Sequence, residues 1–266
     1  MQKAVTLPAA GDVGEIVDFI VELEESGWDS VFVWDHVQLF PDRELPWMDP
    51  WVLLGAVATA TTRIRIGTMV TPITRRRPWK LAKEAITVDH LSGGRMILGV
   101  GLGAPEKEEF ADFSEVTDLK QRAQRTDEGL ALLDQLLRGG RVDHSGDHYE
   151  VHADLRPGDR QDPRMPIWIA ATPPHRRPLE RAKRWDGMFC NMVSTGLKPA
   201  PMTPAEIEDY AGDLLNRADF SVGTPRHPDH SIDDYAAVGV SWIRESTLPG
   251  PGWLPEFREN LRRQYG

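Results

Sequence analysis

Trp34, Asp35 and His36 end the β-forming run Val31, Phe32, Val33. An imidazole beside a carboxylate suits general acid or base work, because its surroundings can move its protonation into the working range. A structural reading stands beside it: a histidine satisfied by hydrogen bonds, at a strand that has to stop. Residues 99–104, GVGLGA, fit G-x-G-x-x-A. The dinucleotide fingerprint needs a helix to open there, and the acidic PEKEEFADF does not read as one. Glycines at that point would let a flat ring approach the backbone, or simply make a tight strand exit. In AATPPHRRPLERA a helix begins directly after a strand. Its first N–H groups, with Thr172, His175, Arg176 and Arg177, would attract an anion such as phosphate; the alternative is a basic surface helix. His144, His148 and His152 recur at spacing four, a metal-like array on a helix. Ser145 and Gly146 instead predict a hairpin, where that spacing means little, so no metal is expected. His227 and His230 read as a solvated loop. No G-x-S-x-G elbow, P-loop or C-x-x-C motif is present.

Strands and helices must position these residues, and they alternate. KAVTLP, SVFVWDH, RIRIGTMVTP, RMILGVGLG, RMPIWIAA, DGMFCNMV, DFSVG and VSWIRES read as strands. Between and after them come helical patterns. In the first, Ile16, Phe19, Ile20 and Leu23 share a face, Asp12 with Glu15 suggests a capping box, and Gly27 a stop. Asp49 and Pro50 open the second. Gly93 and Gly94 close the third. Leu130, Leu133 and Leu137 stripe the fourth. The fifth is expected from Pro174. VDHSGDHYEV is expected as a hairpin. Eight strands alternating with eight helices over 266 residues predict one domain, a (β/α)₈ barrel with an abbreviated seventh unit. An open doubly wound sheet is the alternative. In a barrel, the C-terminal strand ends make the active face. Residues 34–36, 68–71 and 101–103, with Ala171, Thr172, Asn191, Gly223, Thr224, Glu245 and Ser246, fall there.

A formal charge of −10 argues against a nucleic-acid partner, although residues 75–77 (RRR) and 175–178 (HRRP) are locally basic. The single cysteine, Cys190, excludes an internal disulfide and fits a reducing compartment. No stretch approaches the roughly 20 apolar residues of a membrane span, and the first residues hold no signal-peptide core. A cytoplasmic protein with a small-molecule substrate is expected.

The stretches GWDSVFVWDHV, RIRIGTMVTPITRRRPWKLAKEAITVDHLSGGRMILGVGLG, RAQRTDEGLALLDQLLRGGRVDHSGDHYEV and PLERAKRWDGMF resemble the bacterial luciferase-like family of flavin-dependent monooxygenases and deazaflavin (coenzyme F-420) oxidoreductases. The similarity is strong over residues 2–190. It implies a barrel holding a deazaflavin or FMN ring at its C-terminal mouth, and a homodimer. Asp35 and His36 would contact the ring region, with His36 catalytic. A cis peptide bond between Thr68 and Met69 would bulge against the ring, and Gly101 and Gly103 would form the glycine exit. The cofactor phosphate would lie near Ala171, Thr172 and Arg176. Trp34 and Trp47 would supply apolar walls, unless Trp34 is core packing. Two departures stand out: Ala170 and Ala171 replace the double glycine of many relatives, and the seventh unit is short. A barrel that binds flavin without catalysis is therefore the rival reading, with a non-redox hydrolase or lyase behind it.

Overall fold

The computed structural model describes residues 1–190, 193–195, 198–223 and 225–265. Eight parallel strand positions form its centre: β1 (Gln2–Leu7), β2 (Ser30–Val33), β3 (Arg65–Thr68), β4 (Met96–Gly101), β5 (Ile167–Ala171), β6 (Gly187–Cys190), β7 (Asp219–Gly223) and β8 (Trp242–Ser246). Each pairs with the next, and β8 pairs with β1, so the sheet closes into a barrel. The short β7 pairs on both sides and completes the ring. Eight helices follow in alternation: α1 (Val13–Glu25), α2 (Pro50–Ala60), α3 (Pro78–Ser92), α4 (Leu119–Arg138), α5 (Arg176–Ala182), α6 (Pro204–Ala211), α7 (Ile232–Ala237) and α8 (Trp253–Tyr265).

Local chemistry explains the boundaries. Asp12 accepts from the Glu15 N–H, and Asp49 from the Trp51 and Val52 N–H groups, satisfying donors a helix start leaves open. Gly93 ends α3 in the left-handed conformation (φ 73°), which glycine adopts without a Cβ clash. Strand side chains alternate. Val5, Leu7, Val31 and Val33 therefore face the helices, while Ala4, Phe32, Ile97, Trp168, Phe189 and Trp242 fill the barrel as a buried plug. Within the plug, Phe32 and Phe189 meet edge to face at 4.8 Å, and Trp168 and Trp242 at 5.4 Å.

The histidine-rich stretch is a hairpin, Gly140–Ser145 with Glu150–Leu155. His144 contacts Glu128 and His152 contacts Asp143 and Glu150, so the regular spacing does not converge. Among the described residues no group of three metal-ligating side chains occurs, and no helix is long and apolar enough to cross a membrane. The third strand breaks after Thr68 and resumes at Thr71–Pro72 beside Val100 and Gly101. The cis bond is between Met69 and Val70, one residue beyond the expected Thr68 to Met69 position. Thr68 is still in regular pairing with Val33, so the departure begins after it.

Candidate active site

A cavity of about 520 Å³ opens where the strands end, within the usual range for small-ligand sites. One wall comes from the break in β3 and the exits of β4 and β5: Met69, Val70, Gly101, Gly103, Ile169 and Ala170. It is largely apolar. Gly101 is demanded by its neighbour, since a Cβ there would come 2.6 Å from Val70 Cγ2. Gly103 has φ 79°, and a Cβ would press within 2.7 Å of Pro72. Arg122, from α4, donates to the Gly103 carbonyl (2.6 Å) and to that of Leu102, which fixes this exit. The two glycines thus make room for Val70, Pro72 and Phe110, which pack against the exit.

The other wall carries Thr6, Trp34, Asp35, His36, Arg244 and Ser246. Asp35 is buried, and its carboxylate accepts from Arg75 (2.7 Å), Arg76 (2.9 and 3.1 Å), Thr71 (2.9 Å) and the Trp51 indole (3.2 Å). Burial alone would raise its pKa; Arg76, then Arg75 and Thr71, outweigh that and hold it below the ordinary value. His36 Nδ1 lies 3.1 Å from Glu109 Oε1. Glu109 is fully buried, pairs with Arg75, and accepts from the Val37 and Gln38 N–H groups. Burial and then the Arg75 charge push the His36 pKa down to about 4, against the pull of Asp35. The imidazole is therefore neutral at neutral pH. With Nδ1–H donating to Glu109, Nε2 carries the lone pair and can take a proton.

Of the residues singled out in the sequence, Asp35, His36, Met69, Gly101, Gly103 and Thr172 line the cavity, together with Trp34 and His175. Thr68, Ala171 and Arg176 do not. The Thr68 hydroxyl donates to the Gly99 carbonyl (2.9 Å). Ala171 faces outward because alternation turns Ala170 inward. Arg176 donates to the Tyr210 carbonyl (2.9 Å) and sits over its ring. Trp47 stands 5.5 Å from the His36 ring and donates to the Leu39 carbonyl. Glu245 also points away, to Arg226 (2.7 Å) and the Tyr265 hydroxyl (2.6 Å). Asn191 and Thr224 lie outside the described residues.

Sequence reasoning missed Glu109, Arg75, Arg76 and Arg244 as site residues. The first lies in the segment read as ragged and acidic, where it ends a one-turn helix, Glu106–Glu109. The two arginines belong to the locally basic RRR, which was given no site role. Arg244 was within reach: period two in WIRES puts Trp242, Arg244 and Ser246 on one face, and a charge in mid-strand is unusual. Burial lowers its pKa to about 10, which leaves it cationic.

A closed parallel barrel with an apolar wall and a held, neutral histidine at its C-terminal mouth places the chain among the (β/α)₈ barrels with a site at the strand ends. The chain belongs to the luciferase-like monooxygenase family, whose profile matches residues 1–264. It is 38% identical over 217 residues to an F420-dependent glucose-6-phosphate dehydrogenase of Amycolatopsis mediterranei, covering 76% of this chain and 62% of that one. A protein of the same name from Kineococcus radiotolerans is 34% identical over 265 residues, 93% of this chain and 76% of that one. The chain thus spans less than two thirds of the length of the Amycolatopsis relative. Among solved structures, an F420-dependent secondary alcohol dehydrogenase in complex with an F420-acetone adduct superposes with TM-score 0.76 at 15% identity, covering 97% of each chain. The coenzyme F420-dependent tetrahydromethanopterin reductase of Methanopyrus kandleri gives 0.74 at 17% identity, covering 97% and 96%. These two share the fold.

Proposed function

We propose that this chain is a deazaflavin-dependent oxidoreductase that oxidises a hydroxyl of a small substrate, with FMN as the alternative cofactor. A sugar phosphate or a secondary alcohol is the substrate class that the names of its relatives favour. One observation carries the reading: a neutral His36, oriented through Nδ1 by buried Glu109, shares a cavity with the apolar wall of Met69, Val70, Gly101 and Gly103. When bound, the deazaflavin supplies the hydride acceptor. His36 Nε2 takes the hydroxyl proton as the carbonyl forms. Glu109 holds the tautomer, and Arg75 anchors Glu109 and Asp35 together. Trp34 and the apolar wall keep bulk water from the reacting atoms. Thr172 and His175 are proposed to meet the cofactor's phosphate side.

The test is an absorbance titration of the purified protein with F420 and with FMN, followed by cofactor bleaching with glucose 6-phosphate or 2-propanol. Binding of F420 and bleaching by one substrate are expected. An unchanged spectrum with both cofactors would discard the oxidoreductase reading in favour of a non-catalytic barrel. The reading includes a cytoplasmic homodimer. In support, residues 50–62 carry no charge, and Val52 of α2 is 76% exposed. Sedimentation velocity checks it.

A further inference from the structure

We propose that Arg244 makes the cavity floor a receptor for negative charge, so that the ligand reaching deepest presents an anionic group there. Arg244 sits in the middle of β8, only 3% exposed, and lines the cavity above the aromatic plug. Its Nη1 donates to Ser221 Oγ at 2.9 Å, and its guanidinium stands 5.3 Å over the Phe189 ring. Gly223 leaves it room: a Cβ at that position would come 2.7 Å from Arg244 Nη2. Strands β6 and β7 thus each place a residue against this one group.

An apolar side chain of similar length would pack on the plug without the cost of desolvating a charge. What arginine adds is a fixed positive charge and a planar fork of donors, suited to carboxylate and phosphate. In the ring of eight, β8 lies four strands from β4, so the cation lies across the cavity from the wall that carries Gly101 and Gly103. Two anions have this chemistry. One is a phosphate or carboxylate of the substrate. The other, which rests on the oxidoreductase reading, is the negative charge a reduced deazaflavin ring carries.

Calorimetric titrations of wild type, Arg244→Met, Arg244→Lys and Gly223→Ala separate the sources, each with inorganic phosphate, glucose 6-phosphate, oxidised F420 and reduced F420. Thermal melts first establish which variants fold. In Arg244→Met the anion that occupies the floor should bind about tenfold more weakly or worse. Arg244→Lys should recover part of that loss. Gly223→Ala keeps the charge but displaces it, and should give a smaller loss. If Arg244→Met does not fold, the last two variants carry the measurement. Weakening confined to phosphate and glucose 6-phosphate assigns the floor to substrate; weakening confined to reduced F420 assigns it to the cofactor. Unchanged affinities for every probe in the folded variants would overturn the proposal. A wild type that binds phosphate through Arg244 but neither form of F420 would leave the anion receptor standing and remove the oxidoreductase reading.

Discussion

Asp35 and His36 are adjacent in the chain and do different work. The Asp35 carboxylate is saturated by Arg75, Arg76, Thr71 and Trp51, so it is an anchor. His36 keeps one ring nitrogen for chemistry. His36→Asn should melt within a few degrees of wild type, while turnover with a competent substrate falls by about 10²–10⁴-fold, the range for losing an acid or base. A large loss of stability with normal turnover per folded molecule would make His36 structural. With its pKa near 4, the acid limb of kcat/KM should lie near pH 4 instead of 6.5. A limb near 6.5 would show that burial and Arg75 do not act on it as described. Glu109→Ala should be harsher on the fold, costing about 1–3 kcal/mol in chemical denaturation, because the Val37 and Gln38 N–H groups lose their acceptor and Arg75 keeps only Asp35. The rim residues were legible because strand ends are local. Glu109 was not, since its place is set by a segment 73 residues away that only the closed barrel brings to His36.

Elements were legible where one residue decides them. Asp12, Asp49 and Gly93 announced helix boundaries, and each acts there. Expected from Pro174, the fifth helix begins at Arg176 instead, because His175 is still extended (φ −66°, ψ 113°) and serves as the N-cap residue. The links between elements were not visible at all. Arg95, at the start of β4, donates to the carbonyls of Ala58, Thr61, Ile64 and Ser92, tying the end of α2 to β3 and α3. Glu24 accepts from three successive N–H groups, Thr62, Arg63 and Ile64, across the same corner. These bonds join segments far apart in sequence, and an arginine or glutamate there looks like any surface charge. Arg95→Met should lower stability by about 1–3 kcal/mol, read as a lower urea midpoint at unchanged slope. Its turnover per folded molecule should match wild type.

For the molecule as a whole, alternation announced the closed barrel, and the short DFSVG was the doubtful part. Five residues proved sufficient, because a barrel strand needs only partners on both sides, which β6 and β8 supply. Stability should depend on pH in a definite direction. The His36 pKa is near 4 when folded and about 6.5 when unfolded, so the unfolded chain binds more protons between these values. Its contribution is fully present above about pH 6.5 and is lost as pH falls through 4, on the order of 3 kcal/mol. Denaturation midpoints from pH 7 to 4 should therefore decline in wild type and decline less in His36→Asn. Parallel curves would mean that this histidine is not held neutral by the fold.

Trp168 and Trp242 lie in the plug directly beneath the cavity, and Trp34 on its wall. Indoles so placed are light-harvesting neighbours for any chromophore that enters. A deazaflavin or flavin absorbs where tryptophan emits, so excitation of the indoles should pass to the bound ring. Ultraviolet-excited tryptophan emission should dim on titration, and sensitised cofactor emission should rise in step. Trp34→Phe should lessen that transfer without abolishing it, since Trp47, Trp51 and the plug indoles remain. Binding without any change in indole emission would put the chromophore outside the barrel mouth.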